Sequence, residues 1–206
     1  MLIQRPRWLL TEHLRNRYIL FTNDNIGEGS LLVTAHEHIE GANGATTTLA
    51  ELVASKRVQH RPELGAVLDA LCYPTAQIRN MATVAGCVAS ATPLFDLPVA
   101  LMALDGVVRG AGPKGSREIG LDKFYLDYFK HVLERTELIT EVLVPRQPSR
   151  SASAFLKLET NANDLALLNV AVRIILDEKG TCRDARSEIS SSRTKLFGET
   201  EEKKPN

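Results

Sequence analysis

Beyond position 40 the apolar residues fall into short runs whose spacing switches between helical and alternating. Leu49, Leu52 and Val53 form one side of a short helix. Its start is marked by Thr48-Leu49-Ala50-Glu51, a capping box in which hydroxyl and carboxylate satisfy each other's backbone N–H groups. Leu64, Val67, Leu68, Leu71 and Cys72 follow the i, i+3, i+4 rule of a second helix, with Pro62 at its first position and Pro74 ending it. Asp96 opens a third apolar run through Leu97, Val99, Leu101, Met102 and Leu104. Gly106–Gly110 reads as a strand, Gly112-Pro113-Lys114-Gly115 as a hairpin turn, and Leu138–Val144 as a strand closed by Pro145. Ala154–Leu158 alternates as a strand. A helix through Asp164–Leu168 and a strand over Val170–Leu176 follow, and Asp177-Glu178-Lys179-Gly180 turns the chain onto Thr181–Ala185.

The ends are less regular. In residues 1–40, Arg5, Arg7, Arg15 and Arg17 surround Trp8-Leu9-Leu10 and Tyr18-Ile19-Leu20-Phe21, a pattern that predicts an amphipathic helix. Glu12 and the low serine content argue against an organellar leader, and no signal-peptide core is present. His36-Glu37-His38 would set two imidazoles on one face of a strand; without a third ligand nearby, a solvated strand is the better reading. Gln147–Ser153 reads as a linker, and Ser190-Ser191-Ser192 with the tail Glu199–Asn206 as disordered.

Composition narrows the function. With 206 residues, 25 basic and 25 acidic, the chain has zero formal net charge, so no cationic excess exists to neutralise nucleic-acid phosphates. No apolar run approaches the roughly 18 residues that a membrane helix needs. Cys72, Cys87 and Cys182 form neither a CxxC pair nor an even disulfide set. This fits a reducing cytoplasm and leaves no home within the chain for an iron–sulfur cluster, a structural zinc or another metal.

The chemistry concentrates between Pro74 and Pro98, where Ala82, Thr83, Ala85, Gly86, Ala89, Ser90, Ala91 and Thr92 are all small. Small side chains let a ligand approach the main chain, and successive N–H groups in a turn make a concavity suited to phosphate. Asp96 can cap the helix that follows or hold a ribose hydroxyl. From spacing alone, a surface loop between two helices, with Asp96 as an N-cap, is the better reading of the stretch.

The string Ile78-Arg79-Asn80-x-Ala82-Thr83-Val84-x-Gly86, followed by Pro93 and Asp96-Leu97-Pro98, resembles the flavin-binding subunit or domain of the molybdenum hydroxylases, such as xanthine dehydrogenase and aerobic carbon monoxide dehydrogenase. Gly44-Ala45-Thr46-Thr47-Thr48-Leu49 looks like the family's segment leading into the helix beside the flavin. Ile119–Phe129, with Phe124, Tyr125, Tyr128 and Phe129, resembles its short helix, and Leu138–Pro145 its following strand. The resemblance implies an α+β fold: a mixed or antiparallel sheet with flanking helices over residues 41–146 (the second lobe of the flavin-binding domain). Part of a small antiparallel C-terminal domain would follow over 153–190, and a disordered tail over 191–206.

By the same resemblance the chain carries FAD as an oxidoreductase subunit and does no substrate chemistry, so it has no catalytic residue of its own. Electrons would arrive from an iron–sulfur small subunit and a molybdenum large subunit and leave for NAD or another acceptor. The implied flavin contacts are the backbone at Thr83, Val84, Ala85 and Gly86, the Cys87 side chain, Asp96 and Lys157. Each has a plainer alternative, Asp96 as a cap and Lys157 as a solvated strand residue. Arg79 and Asn80 could simply tie the loop to main-chain carbonyls.

The sequence also departs from the family. Ala85 stands for a glycine and Cys87 for an asparagine. No Gly-rich phosphate loop of a first lobe is recognisable in residues 1–40, and the C-terminal domain stops before its last helices and strand. A truncated, flavin-free relative acting in assembly, or without function, is the second reading.

Overall fold

Short apolar runs separated by glycine and proline build two four-stranded sheets and a set of small helices between them. The computed structural model describes residues 31–34, 46–56, 58–161, 164–191 and 194–199. Its helices are α1 (Leu49–Ala54), α2 (Gly65–Cys72), α3 (Ala76–Met81), α4 (Val84–Ala89), α5 (Asp96–Ala103) and α6 (Leu121–Phe124). Its strands are β1 (Leu31–Thr34), β2 (Val107–Gly112), β3 (Gly115–Gly120), β4 (Tyr125–Asp127), β5 (Lys130–His131), β6 (Leu138–Val144), β7 (Ser151–Leu158), β8 (Leu168–Leu176), β9 (Cys182–Ser191) and β10 (Thr194–Glu199).

The first sheet runs β1-β6-β2-β3 and the second β10-β9-β8-β7, and every pairing is antiparallel. The α+β expectation therefore holds. Pro113 and Lys114 make the two-residue loop between β2 and β3, and Gly115 at φ +115 supplies the conformation that a side chain would resist.

All eight residues of α5 are buried and all but Asp96 are apolar, so this helix lies inside the molecule. It packs on β8 and β9 of the second sheet and on α2, while α4 covers β6 of the first. Both ends of α5 are tied to the second sheet. At its start, Asn169 donates to the Phe95 carbonyl and Ser190 to that of Pro93. At its end, Asp105, held at φ +58, receives both Arg173 and Arg186, which also pair with Asp184 and Glu188.

Local reading fails in four places. Ile119–Phe129 is not one helix: Ile119 belongs to β3, α6 has four residues, and β4 and β5 form a small hairpin after it. Leu121 and Phe124 are buried there, but Phe129 is 70% exposed at φ +55. Asp164–Leu168 is not helical; Leu167 N–H donates to the Leu158 carbonyl, and extended pairing takes over. Ser190 and Ser191 complete β9, and Glu199 ends β10, because the sheet offers those backbones partners that the polar composition does not reveal. Gln147 in the linker is buried and donates to the carbonyls of Leu104 and Pro145. The amphipathic helix, His36-Glu37-His38 and the tail beyond Glu199 lie outside the described residues.

Candidate functional site

The segments around Thr48 and Thr83 come together although 35 positions separate them. Thr48 and Thr83 form an isolated antiparallel bridge. Leu49 N–H donates to the Ala82 carbonyl at 3.0 Å, and Val84 N–H to that of Thr47 at 2.8 Å. Each threonine then caps its own helix. Thr48 Oγ1 accepts from Glu51 N–H, and Glu51 accepts from Thr48 N–H at 2.9 Å, completing the capping box. Thr83 Oγ1 accepts from Gly86 N–H at 3.0 Å. A Cβ on Gly86 would sit 2.7 Å from that hydroxyl, so the glycine is needed for the cap's closeness. Arg79 donates to the carbonyls of Leu71 and Pro74 and fastens α3 to the end of α2, the tying role its sequence position allowed.

This geometry revises the picture of an open N–H concavity at Thr83–Gly86. The stretch is a helix start, and the N–H groups of Val84 and Gly86 are already engaged. Ala85 is helical and buried, so no positive φ is asked of it. Cys87 is buried as well, and its thiol is pushed up to about 11, first by burial and then by nearby Asp96. It is a neutral thiol. The Tyr125 hydroxyl, electrostatically coupled to Cys87, is also buried, has no hydrogen-bond partner, and is driven upward by burial.

Asp96 is the first residue of α5, but the cap position belongs to Phe95, and no side chain caps the helix. The carboxylate turns instead toward β7. Lys157 Nζ lies 3.5 Å from Asp96 Oδ2 and 3.2 Å from Glu159 Oε2, with its side chain only 5% exposed. It also sits 5.3 Å from the centre of the Tyr73 ring. Lys157 is thus no solvated strand residue. Asn169 stands directly opposite Lys157 in the β7–β8 register and interacts with Asp96. Burial raises Asp96 to about 6, more than the Lys157 ammonium can offset.

Two buried acceptors in this cluster lack a hydrogen-bond partner, Asp96 Oδ1 and Asn169 Oδ1, while Glu159 Oε2 is met by the Lys157 ammonium. Buried polar atoms are ordinarily satisfied, so the cluster is short of donors. One ammonium facing two carboxylates leaves a local charge of −1 when both are ionised. A neutral group rich in hydroxyls suits such a site; a phosphate does not. Sequence reading reached Asp96 and Lys157 but missed Tyr73, Glu159 and Asn169. The strand alternation that sets Lys157 and Glu159 on one face was available as a signal, whereas the Asn169 contact depends on register. Among the described residues, no group of three His, Cys, Asp or Glu is placed to hold a metal ion.

Sheets and helices together match the fold of solved dehydrogenase chains. A chain of reconstituted CO dehydrogenase from Oligotropha carboxidovorans superposes with a TM-score of 0.70 at 25% identity, covering 76% of this chain and 54% of that one. The 6-hydroxypseudooxynicotine dehydrogenase complex subunit alpha of Paenarthrobacter nicotinovorans is 37% identical over 146 residues, which are 70% of this chain and 49% of the relative. The carbon monoxide dehydrogenase medium chain of Hydrogenophaga pseudoflava is 32% identical over 63% of this chain and 45% of its own length. The chain spans about half the length of these curated relatives.

Residues 32–147 match the family described as FAD binding domain in molybdopterin dehydrogenase, and the chain belongs to it. The donor-poor cluster at Asp96 fits the ribityl or ribose hydroxyls of FAD, so the residues present suit the cofactor on this count.

Proposed function

We propose that the chain is the flavin-carrying part of a molybdenum hydroxylase and holds FAD for electron transfer between partner chains and a final acceptor. The observation that carries this reading is the pair of unpartnered acceptors beside Lys157, Asp96 Oδ1 and Asn169 Oδ1. Asp96 Oδ1 and Asn169 Oδ1 accept from hydroxyls of the cofactor, and Lys157 keeps Asp96 ionised and aimed. The helix starts at Thr48 and Thr83 lie side by side, and the backbone from Thr83 to Gly86 with the Cys87 side chain forms the adjoining wall. FAD, when bound, supplies an electron pair store that can be filled and emptied in single steps. The protein residues bind and orient it and do no substrate chemistry.

The relatives named as a complex subunit and a medium chain support an assembly with partners. An iron–sulfur small subunit and a molybdenum large subunit are the proposed donors, and NAD or another acceptor the proposed outlet. No described helix is long and apolar enough to cross a membrane, and the proposed location is the cytoplasm.

Titrating FAD into the purified chain by fluorescence quenching tests the assignment. Asp96→Ala should weaken binding and Asp96→Asn should do so less, because asparagine keeps an acceptor oxygen. Equal affinity in all three proteins, each shown to be folded, would remove Asp96 from the site. A colourless, folded chain that binds partner subunits would favour the assembly reading.

A further inference from the structure

Strand β7 is an edge of the second sheet, and an edge strand presents N–H groups with no strand to receive them. Here α2 lies along that edge and supplies the partners. Gly65 packs closely on the Ser153 carbonyl, where a Cβ would collide. Ser153 Oγ donates to the Glu63 carbonyl at 2.9 Å and accepts from Ala66 N–H at 3.0 Å. Phe155 N–H donates to Asp69 Oδ2 at 3.0 Å, and Lys157 N–H to the Tyr73 hydroxyl oxygen at 3.2 Å. Four residues of helix advance about 6 Å and two residues of strand about 6.6 Å. Positions 65, 69 and 73 therefore keep step with 153, 155 and 157.

Only the last rung touches the candidate site. Tyr73 holds Lys157 at both ends, its hydroxyl oxygen receiving the backbone N–H and its ring facing the ammonium 5.3 Å away. The ring itself is fixed edge-on against Phe155, with centroids 5.7 Å apart. We propose that Tyr73 is a positioning residue for flavin binding: it fixes the Lys157 ammonium between Asp96 and Glu159, so that Asp96 stays aimed at the cofactor's hydroxyls. This rests on the flavin reading of Asp96 and Lys157 given above. A lysine stem has many rotamers, and two carboxylates compete for its charge. The backbone anchor and the aromatic face select one arrangement.

The test uses the full chain and four variants. Tyr73→Leu removes both contacts, Tyr73→Phe removes only the hydroxyl, and Asp69→Ala removes an equivalent rung that does not touch Lys157. Lys157→Met removes the positioned group itself. Two readouts are taken: FAD affinity by fluorescence quenching, and the titration midpoint of the Asp96 carboxyl by carbon NMR. Tyr73→Leu is expected to weaken FAD by roughly three- to tenfold, in line with one lost hydrogen bond, and to raise the Asp96 midpoint. Tyr73→Phe should fall between it and the parent. Asp69→Ala should lower the melting temperature while leaving both readouts unchanged.

If Asp69→Ala moves both readouts as far as Tyr73→Leu, Tyr73 is merely structural and the proposal is overturned. Weakened FAD binding in Lys157→Met with unchanged binding in Tyr73→Leu overturns the positioning role alone. Unchanged FAD affinity in Lys157→Met overturns the ligand reading of Lys157, and the proposal with it.

Discussion

Replacing Lys157 with methionine keeps the apolar stem and deletes the charge. Asp96 and Glu159 then face each other at a site where the lysine side chain is 5% exposed and Asp96 8%. Removing one partner of a buried ion pair leaves an uncompensated charge and costs about 3–5 kcal/mol. The cost depends on pH in a definite sense. Asp96 in the parent titrates at about 6, above its ordinary 3.8, because burial outweighs the attraction of Lys157. Without that attraction its folded pKa rises further. A carboxyl raised in the folded state contributes stability that is present at low pH and is lost as pH rises through the folded value. Near pH 5 both proteins hold Asp96 mostly protonated, and the penalty is small. Above pH 6 the parent ionises and the variant does not, so the penalty grows by up to about 1.4 kcal/mol per pH unit. Urea unfolding of both proteins at pH 5 and pH 8 measures it. A penalty under about 1 kcal/mol at pH 8, the value of an exposed pair, would refute the reasoning. So would one that is flat between the two pH values.

The parent itself should lose stability between pH 4 and 6, by an amount on the order of 3 kcal/mol for a shift of about two units. Asp96→Asn should lack that loss, and the difference between their urea midpoints across this window is the check. At the other helix start, Gly86→Ala should push the Thr83 hydroxyl off the α4 N-terminus and cost about 1–2 kcal/mol, the worth of an N-cap. If the cap is the cause, Gly86→Ala added to Thr83→Ala should cost little more than Thr83→Ala alone. Full additivity of the two in thermal unfolding would show another cause.

Legibility followed the range of the interactions. The Thr48–Glu51 box and the hairpins at Pro113-Lys114 and Asp177–Gly180 are made by neighbours in the chain, and the sequence displays them. Asp164-Leu165-Ala166-Leu167-Leu168 shows helical spacing too, yet it became the approach to a strand, because Leu158 and the β7 backbone outcompete a helix of five residues. The family motif pointed to Asp96 and Lys157, which the fold does bring together across 61 positions. Tyr73, 84 positions from its contact on Lys157, carried no local mark. Ala85 stands where the family has a glycine, but as a buried helical residue it is asked for no positive φ. Its methyl matters only through the space it occupies.

FAD is proposed to lie against the Asp96–Lys157 cluster and the paired helix starts. Proton–nitrogen correlation spectra of the labelled chain, recorded through an FAD titration, test this residue by residue. One saturable set of shifts is expected at Thr47–Thr48, Thr83–Cys87, Asp96 and Lys157, with Asn169 among them. Saturable shifts confined to other surfaces, or spectra that FAD leaves unchanged, would contradict it.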